Sequence, residues 1–355
     1  MEKNKDSKLK NLLAVFYSYT GWSSLIISGL LNLIIIFSWI FKSDSFSALN
    51  IPPIWVWGAI GIFLSFVSRL FKKTKLSFFI ISSWVLTVIA LADETKSLSR
   101  GFKPTLKQSI KKTHNHIRVI SVNCNGRNLN IVREAMEFNP DIIFIQESPS
   151  PNELLYLLEK ENYNSYRTIG GWDCAIIAKG VLTKRKYPSI LFNHSAGASI
   201  RLDTGAEIEL LSLHLERAIT RWDLWNPECW TEHNKRNQDR KNQLTHLLSE
   251  LQTHSGNTPI LFGGDFNSSY QSNLYRIIPD NFTNTFDEKG KGIGNTFTNY
   301  FPIIRIDHIY SSEHFAVKDS RSAKTQNSDH RMVISDLMLE RSEEHTSELQ
   351  SPLDI

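Results

Sequence analysis

A chain of 355 residues is long enough for one large domain with an appendage, or for two ordinary domains. Its formal net charge of +4 is too small to argue for a nucleic-acid coat. Cys124, Cys174 and Cys229 are scattered with no CxxC pair, which points to neither a disulfide framework nor a zinc site and leaves the redox compartment open.

The first stretch of the chain, residues 1–92, is strongly apolar. Its three runs, Leu25–Phe41, Ile54–Ser68 and Leu76–Ala92, each fall slightly short of the ~20 residues that cross a bilayer. Gly21, Trp22, Ile51 and Phe71 supply the missing turn. Three successive runs with almost no charge argue against buried soluble helices. Two further spans after the first argue against a cleaved signal peptide. Trp39, Trp55, Trp57 and Trp84 lie near the interfaces or within the spans. Lys3, Lys5, Lys8 and Lys10 precede the first run, Arg69, Lys72, Lys73 and Lys75 lie between the second and third, and the first loop holds only Lys42. The positive-inside rule then places the N-terminus in the cytoplasm and the remainder of the chain on the far side. Lys96, Arg100, Lys103 and Lys107, after the third run, weigh against that orientation without reversing it. Residues 93–115 read as a polar, basic linker or a short juxtamembrane helix, a solvated spacer in preference to a contact with anionic lipid headgroups.

From Ile117 the pattern changes to short β-rich runs and amphipathic stretches, and residues 116–340 are expected to form one domain. Ile117–Val122 and Asp141–Ile145 read as strands around a helix at Leu129–Phe138. Ser150, Pro151 and Glu153 spell a helix start with a capping box. Asp203-Thr204-Gly205 between Ala198–Leu202 and Glu207–Leu213 marks a hairpin. Asn234–Leu251 reads as helix and Pro259–Phe262 as a buried strand. This mixture predicts an α/β fold, a four-layer α/β/β/α sandwich of two packed β-sheets preceded by three transmembrane helices.

Polar residues gather where these strands end. Asn123 closes the first and Gln146-Glu147 the second; His214 ends the hairpin; Asp265 and Asn267 follow the Pro259 strand; Asp307-His308 are read as ending the strand before Ile309, and Asp329-His330 come last. Strand ends on one rim bring such groups into one cleft. Phosphate ester hydrolysis needs a hard cation, and oxygen ligands such as Glu147 and Asn123 suit Mg²⁺ or Mn²⁺. In Asp265-Phe266-Asn267 the acid can orient a water while the amide contacts phosphate or holds the acid. An Asp–His pair fixes the imidazole tautomer and favours its charged form. His214 and His330 then donate to nonbridging oxygens, or one of them moves a proton.

Val-Asn at 122–123, Ile-Gln-Glu at 145–147, Ser-Leu-His-Leu at 212–215, Gly-Asp-Phe-Asn at 264–267, Arg-Ile-Asp-His at 305–308 and Ser-Asp-His at 328–330 stand in an order and spacing that resembles the endonuclease/exonuclease/phosphatase superfamily. Arg240-xx-Gln243-xxx-Leu247 adds to the likeness. The resemblance covers about the last two-thirds of the chain. It implies that Glu147 is the main metal ligand, with Asn123 and Asp329 nearby. Asp265 would activate or position the attacking water, assisted by Asn267. His330, paired with Asp307, and His214 would stabilise the pentacovalent phosphate, and Asn123, His214 and Asn267 would touch substrate. The general base stays open between Asp265 and His330. Departures are Met332 where proline is common, His308 where an aromatic is common, and Cys174–Ala178 in place of a more usual Gly/Asn-Ala-Ile-Leu-Ser.

Taken alone, each of these residues is as well explained by a turn, a cap or a solvated loop; their coincidence in order is what decides. Trp222, Trp225 and Trp230 are expected to pack an insertion against the sheet, and Arg217 and Arg221 read as ordinary exposed arginines, with phosphate binding as their functional alternative. Residues 341–355 resemble a translated sequencing adapter and are expected to lie outside the genuine reading frame; a short charged tail is the alternative. Three spans with an outward site resemble bacterial membrane-anchored members thought to act on lipid-linked pyrophosphates. A membrane-proximal, lipid-linked phosphoester is therefore preferred as substrate, before a DNA or RNA nuclease reading. A catalytically inactive binding protein on the same fold is disfavoured, because acid, amide and histidines are all present.

Overall fold

The computed structural model describes residues 2–71, 74–101, 115–186, 194–202, 205–217, 221 and 223–340, and of 2–10 the backbone alone. The tail at 341–355, most of the linker, the turn residues Asp203 and Thr204, and Trp222 lie outside the described residues. The chain forms two compact units. The first comprises the helices up to Lys96 with Trp222–Asn234 and Gln271–Asn273; the second comprises the remainder from Ser97 onward.

The helical unit contains α1 (Glu2–Phe41), a 3₁₀ turn at Asp44–Asn50, α2 (Ile54–Phe71), α3 (Lys75–Leu91) and the start of α4 (Asp93–Ser99). It is built with polarity reversed. Ser28, Asn32, Ser65 and Thr87 are buried, while Ile26, Leu33, Phe63, Phe78 and Phe79 are exposed. Ser28 Oγ donates to the Gly61 carbonyl (2.7 Å), and the Trp84 indole donates to Ser28 Oγ (3.0 Å). Asn32 Nδ2 donates to Thr87 Oγ1 (3.2 Å). A Cβ on Gly61 would overlap the Trp84 ring, so glycine is what lets α2 and α3 close. Apolar outside, small and hydrogen-bonded inside, is the packing that a hydrocarbon solvent selects. Two helices, Asn11–Phe41 and Ile54–Phe71, are long and apolar enough to cross a membrane; a third crosses if α3 and α4, bent by 69°, form one span. The first helix begins at Glu2, well before the apolar run at Leu25, and its membrane-length stretch already starts at Asn11. Leu224 and Trp230 pack on the Trp39–Trp57–Trp84 cluster of this unit. The insertion after His214 thus joins the helices, not the sheet as its sequence suggested, and Trp225 is 85% exposed.

The second unit follows the alternation read from its strands. One six-stranded sheet has the order β11-β12-β1-β2-β4-β3, the other β5-β6-β7-β8-β10-β9. In the first are β1 (His116–Asn123), β2 (Ile142–Gln146), β3 (Tyr166–Gly171), β4 (Cys174–Lys179), β11 (Phe315–Ala323) and β12 (Met332–Leu339); in the second are β5 (Val181–Arg185), β6 (Ser195–Arg201), β7 (Glu207–His214), β8 (Ile260–Asp265), β9 (Phe282–Asn284) and β10 (Asp307–Ser312). Among the described strands, β1–β2 and β7–β8 are the pairs that run in parallel. Along β1, Ile117 and Val119 enter the core between the sheets, with Phe144, Ile200, Leu210 and Leu261. Ile120 and Val122 enter an outer core with α5 (Leu129–Met136) and α6 (Pro151–Lys160). Leu244, Leu247, Leu248 and Leu251 of α7 (Pro227–Ser255) cover the other sheet through Phe262 and Leu211. Each such fully buried aliphatic side chain contributes about 1.5–3 kcal/mol. The capping box at Ser150 and Glu153 forms with Pro151 at the first turn. Arg100 donates to the carbonyls of Phe286, Asp287 and Gly290, which end α8 (Thr285–Lys289).

One buried ion pair ties the first sheet together. Arg118 and Asp336 are register partners on β1 and β12, joined through Nε (2.7 Å) and Nη2 (2.9 Å), with Arg321 Nη1 at 3.5 Å from the same carboxylate. Burial would raise the Asp336 carboxyl, but His116, Arg118 and Arg321 around it hold it far below the usual carboxylate range. Removing one partner of a buried pair costs about 3–5 kcal/mol. Asp336→Ala is expected to lower the unfolding free energy by that amount in a urea titration followed by circular dichroism. A loss of about 1 kcal/mol or less would place the pair with surface ion pairs.

Candidate active site

The two parallel pairs end at the same rim, and side chains from both sheets meet there. Asn123, the last residue of β1, donates from Nδ2 to Asp265 Oδ2 (3.2 Å) at the end of β8. Below this contact Gln146 Nε2 donates to Ser212 Oγ (3.2 Å), which donates to the Ile145 carbonyl (3.1 Å). His214 and Asp265 are register partners on β7 and β8. Asp307 opens β10 instead of closing the strand before it, because β10 runs antiparallel to β8 and brings its first residue level with Asp265. Gly264 has φ +153, and any Cβ there would strike the Leu213 backbone, so the residue before Asp265 must be glycine.

Asp265, Asp307 and His330 are all buried. His330 Nδ1 lies 2.9 Å from Asp307 Oδ2, and its Nε2 lies 3.9 Å from Asp265 Oδ2. The loop carrying His330 is fixed: Ser328 Oγ donates to the Asn123 carbonyl (2.8 Å), and the His330 amide donates to Ser328 Oγ (3.0 Å). Burial pushes the His330 imidazole down, but the charge and hydrogen bond of Asp307, then Asp265, lift it to about 10. Asp265 is raised by burial first and by Asp307 next, against the pull of His330, His214 and the Asn267 amide.

His214 Nδ1 lies 2.9 Å from Asp173 Oδ1, and its Nε2 lies 3.8 Å from Asp265 Oδ2. Burial lowers this imidazole, yet Asp173, Asp265 and Glu147 raise it overall. Asp173 was not singled out in the sequence; only its place in a tight β3–β4 turn hinted at it. Asn267 donates from its amide to Asp265 Oδ1 (2.8 Å) and from Nδ2 to the Leu215 carbonyl (2.8 Å). Glu147, at φ +46, accepts from the Gly126 amide at Oε2 (2.7 Å) and from Arg217 Nη2 at Oε1 (2.9 Å). Burial would raise Glu147, but the Gly126 amide, His214 and Arg217 lower it. The geometry thus groups Asn123 with Asp265, and leaves Asp329 exposed beside His330 with its carbonyl accepting from Asn299. His308 faces away from the site, into a layer with Phe266, Tyr275 and Asn284, where burial drives its imidazole well below the ordinary value.

Asp265, Asp307 and His330 each present one ligand atom within 4.8 Å of the others. Two carboxylates and an imidazole suit a divalent cation. Asp307 Oδ1 is buried with no hydrogen-bond partner. With His330 neutral the three groups would fit a divalent ion; with its proton held, as Asp307 and Asp265 favour, the imidazole has no lone pair to give, and the ionised Glu147 is the hard oxygen donor left at this mouth.

The sequence model of the Endonuclease/Exonuclease/phosphatase family matches residues 120–330. No curated protein matches the chain. Among solved structures, a humanized D. rerio TDP2 with 14 mutations is 18% identical at TM-score 0.49, covering 63% of this chain and 99% of that one. An endonuclease/exonuclease/phosphatase from Bacteroides vulgatus is 16% identical at TM-score 0.48, covering 64% and 100%. The mannosyl-6-phosphatase of Bacteroides thetaiotaomicron is 18% identical at TM-score 0.47, covering 63% and 100%.

The raised His330 makes a prediction with a definite sign. A histidine whose folded value exceeds its unfolded ~6.5 stabilises fully below that pH, and the contribution fades as pH climbs toward about 10. In metal-free protein, Asp307→Asn should bring the His330 titration down toward ~6.5 or below, read from imidazole ¹⁵N shifts with His330→Gln to assign the signal. An imidazole still charged at about pH 9 in that variant would show that Asp307 is not its main support.

Proposed function

This chain belongs to the endonuclease/exonuclease/phosphatase family, and we propose that it is a membrane-anchored, metal-dependent phosphoesterase. The observation that carries the reading is the meeting of both sheets at Asp265, clasped by Asn123 of the other sheet and faced by His214 of its own and by His330 from the loop before β12. In this reading Glu147, with Asn123 and Asp329, holds Mg²⁺ or Mn²⁺. The ion, when bound, neutralises negative charge developing on the phosphate oxygens.

The remaining roles follow from protonation. His330, lifted to about 10, carries its proton at neutral pH and acts as donor to a nonbridging oxygen. That leaves Asp265 as the acceptor for the proton of an attacking water. Asn123 and the Asn267 amide each bond one of its oxygens, which fixes the direction of the carboxylate. His214, steadied by Asp173, is a second donor.

For the anchor we propose three spans, with the N-terminus cytoplasmic and the catalytic domain extracytoplasmic. Within the helical unit, Leu91 and Ala92 at the end of α3 pack on the same cluster as Phe46 and Leu49 of the 3₁₀ turn. A chain that crosses along α2 must return along α3 to reach that level. The anchor supports a lipid-linked phosphoester or pyrophosphate as substrate. A nuclease reading has its own support: Trp172, next to Asp173 and 59% exposed, carries Arg127 at 5.1 Å, a stacking surface with positive charge.

Detergent-purified full-length protein with Mg²⁺ is expected to hydrolyse at least one of polyprenyl pyrophosphate, phosphoinositide, DNA or RNA. Glu147→Gln and His330→Ala should each lower that rate by about 10² or more. Undiminished turnover in both variants, on every substrate, would remove the site from the chemistry. For topology, a cysteine at Ser45 in intact cells should react with an impermeant maleimide, whereas an N-terminal epitope should stay hidden. The converse pattern would invert the orientation.

A further inference from the structure

Glu147 accepts one hydrogen bond at each oxygen, and the two donors differ in kind. The Gly126 amide is fixed in the turn after β1. The other donor, Arg217, follows β7 on a side chain that is 75% exposed and has room to leave. We propose that Arg217 is a tethered cation that holds Glu147 while the divalent ion is absent and moves to the substrate phosphate when the ion binds. Metal and phosphate binding thereby reinforce one another. This rests on the reading of Glu147 as a metal ligand.

Three physical points support it. A divalent ion on Glu147 Oε1 would stand where the guanidinium now stands, and like charges at that spacing repel, so the two occupants exclude each other. An ion pair this exposed is weak, so a divalent ion can displace it. A released guanidinium presents a planar fork that matches two phosphate oxygens, in a mouth whose other cations, His214 and His330, are held in place by Asp173 and Asp307. Reciprocity then follows: if the ion frees Arg217 for phosphate, phosphate that engages Arg217 must tighten the ion by the same factor.

The test is Mn²⁺ titration of the full-length protein by calorimetry, with and without inorganic phosphate. Without phosphate, Arg217→Gln is expected to bind Mn²⁺ about two- to fivefold more tightly than the parent, and Arg217→Lys to stay near the parent. Adding phosphate should tighten Mn²⁺ binding in the parent and do so less in Arg217→Gln. Equal or weaker Mn²⁺ binding in Arg217→Gln, or the same phosphate effect in both proteins, overturns the proposal. Glu147→Gln separates the two levels of the argument. If it binds Mn²⁺ as the parent does, Glu147 is not a ligand and both readings fall. If it loses binding while Arg217→Gln matches the parent, only the tethered-cation proposal falls.

Discussion

Asp265 and Asp307 face each other where β10 begins against the end of β8, both buried where water is scarce. Two such carboxylates repel and desolvate at a cost that no folded protein sustains without counter-charge. The rest of the site answers this demand. His330 reaches between them and His214 flanks the outer one, both raised by the acids they face. Where a cation also binds at the mouth, it lowers the same repulsion. Acid crowding thus raises both imidazoles.

That arrangement requires backbone precision that the sheets provide. Gly264 removes the one Cβ that would keep β8 from β7, and the parallel register then sets His214 beside Asp265. Ser328 closes the last gap by bonding the Asn123 carbonyl, so that the loop bearing His330 is tied to the end of β1 in its own sheet. The Asn123–Asp265 and Ser328–Asn123 contacts join residues 142 and 205 apart in sequence. Their geometry is a property of the packed sandwich, not of any one loop.

Much of this was legible because strand alternation and short polar signatures are local. Ile117, Val119, Ile120 and Val122 sort to their two cores by period two alone, and the order of Asn123, Glu147, His214, Asp265, Asp307 and His330 pointed to one rim. The misreadings share a cause. His308 follows Asp307 in the signature, yet pleating sends the two to opposite faces, and burial leaves His308 uncharged beside Tyr275. Asp173 supports His214 from a different strand pair 41 residues away, a pairing no window of sequence exposes. Trp230 looked like sheet packing because nothing in a polar insertion says which apolar surface will take its few large side chains.

The two units also place large apolar side chains oppositely. In the sandwich Phe144, Phe262 and Leu261 are buried between and behind the sheets. In the helical unit Ser28 and Ser65 bond to each other inside, and outside lies a surface of leucine and phenylalanine suited to hydrocarbon. Solvent decides which face turns inward. A chain read with one scale throughout would bury the wrong half of one unit or the other. The reversal of polarity between the two units is therefore as much a part of the fold as any strand pairing.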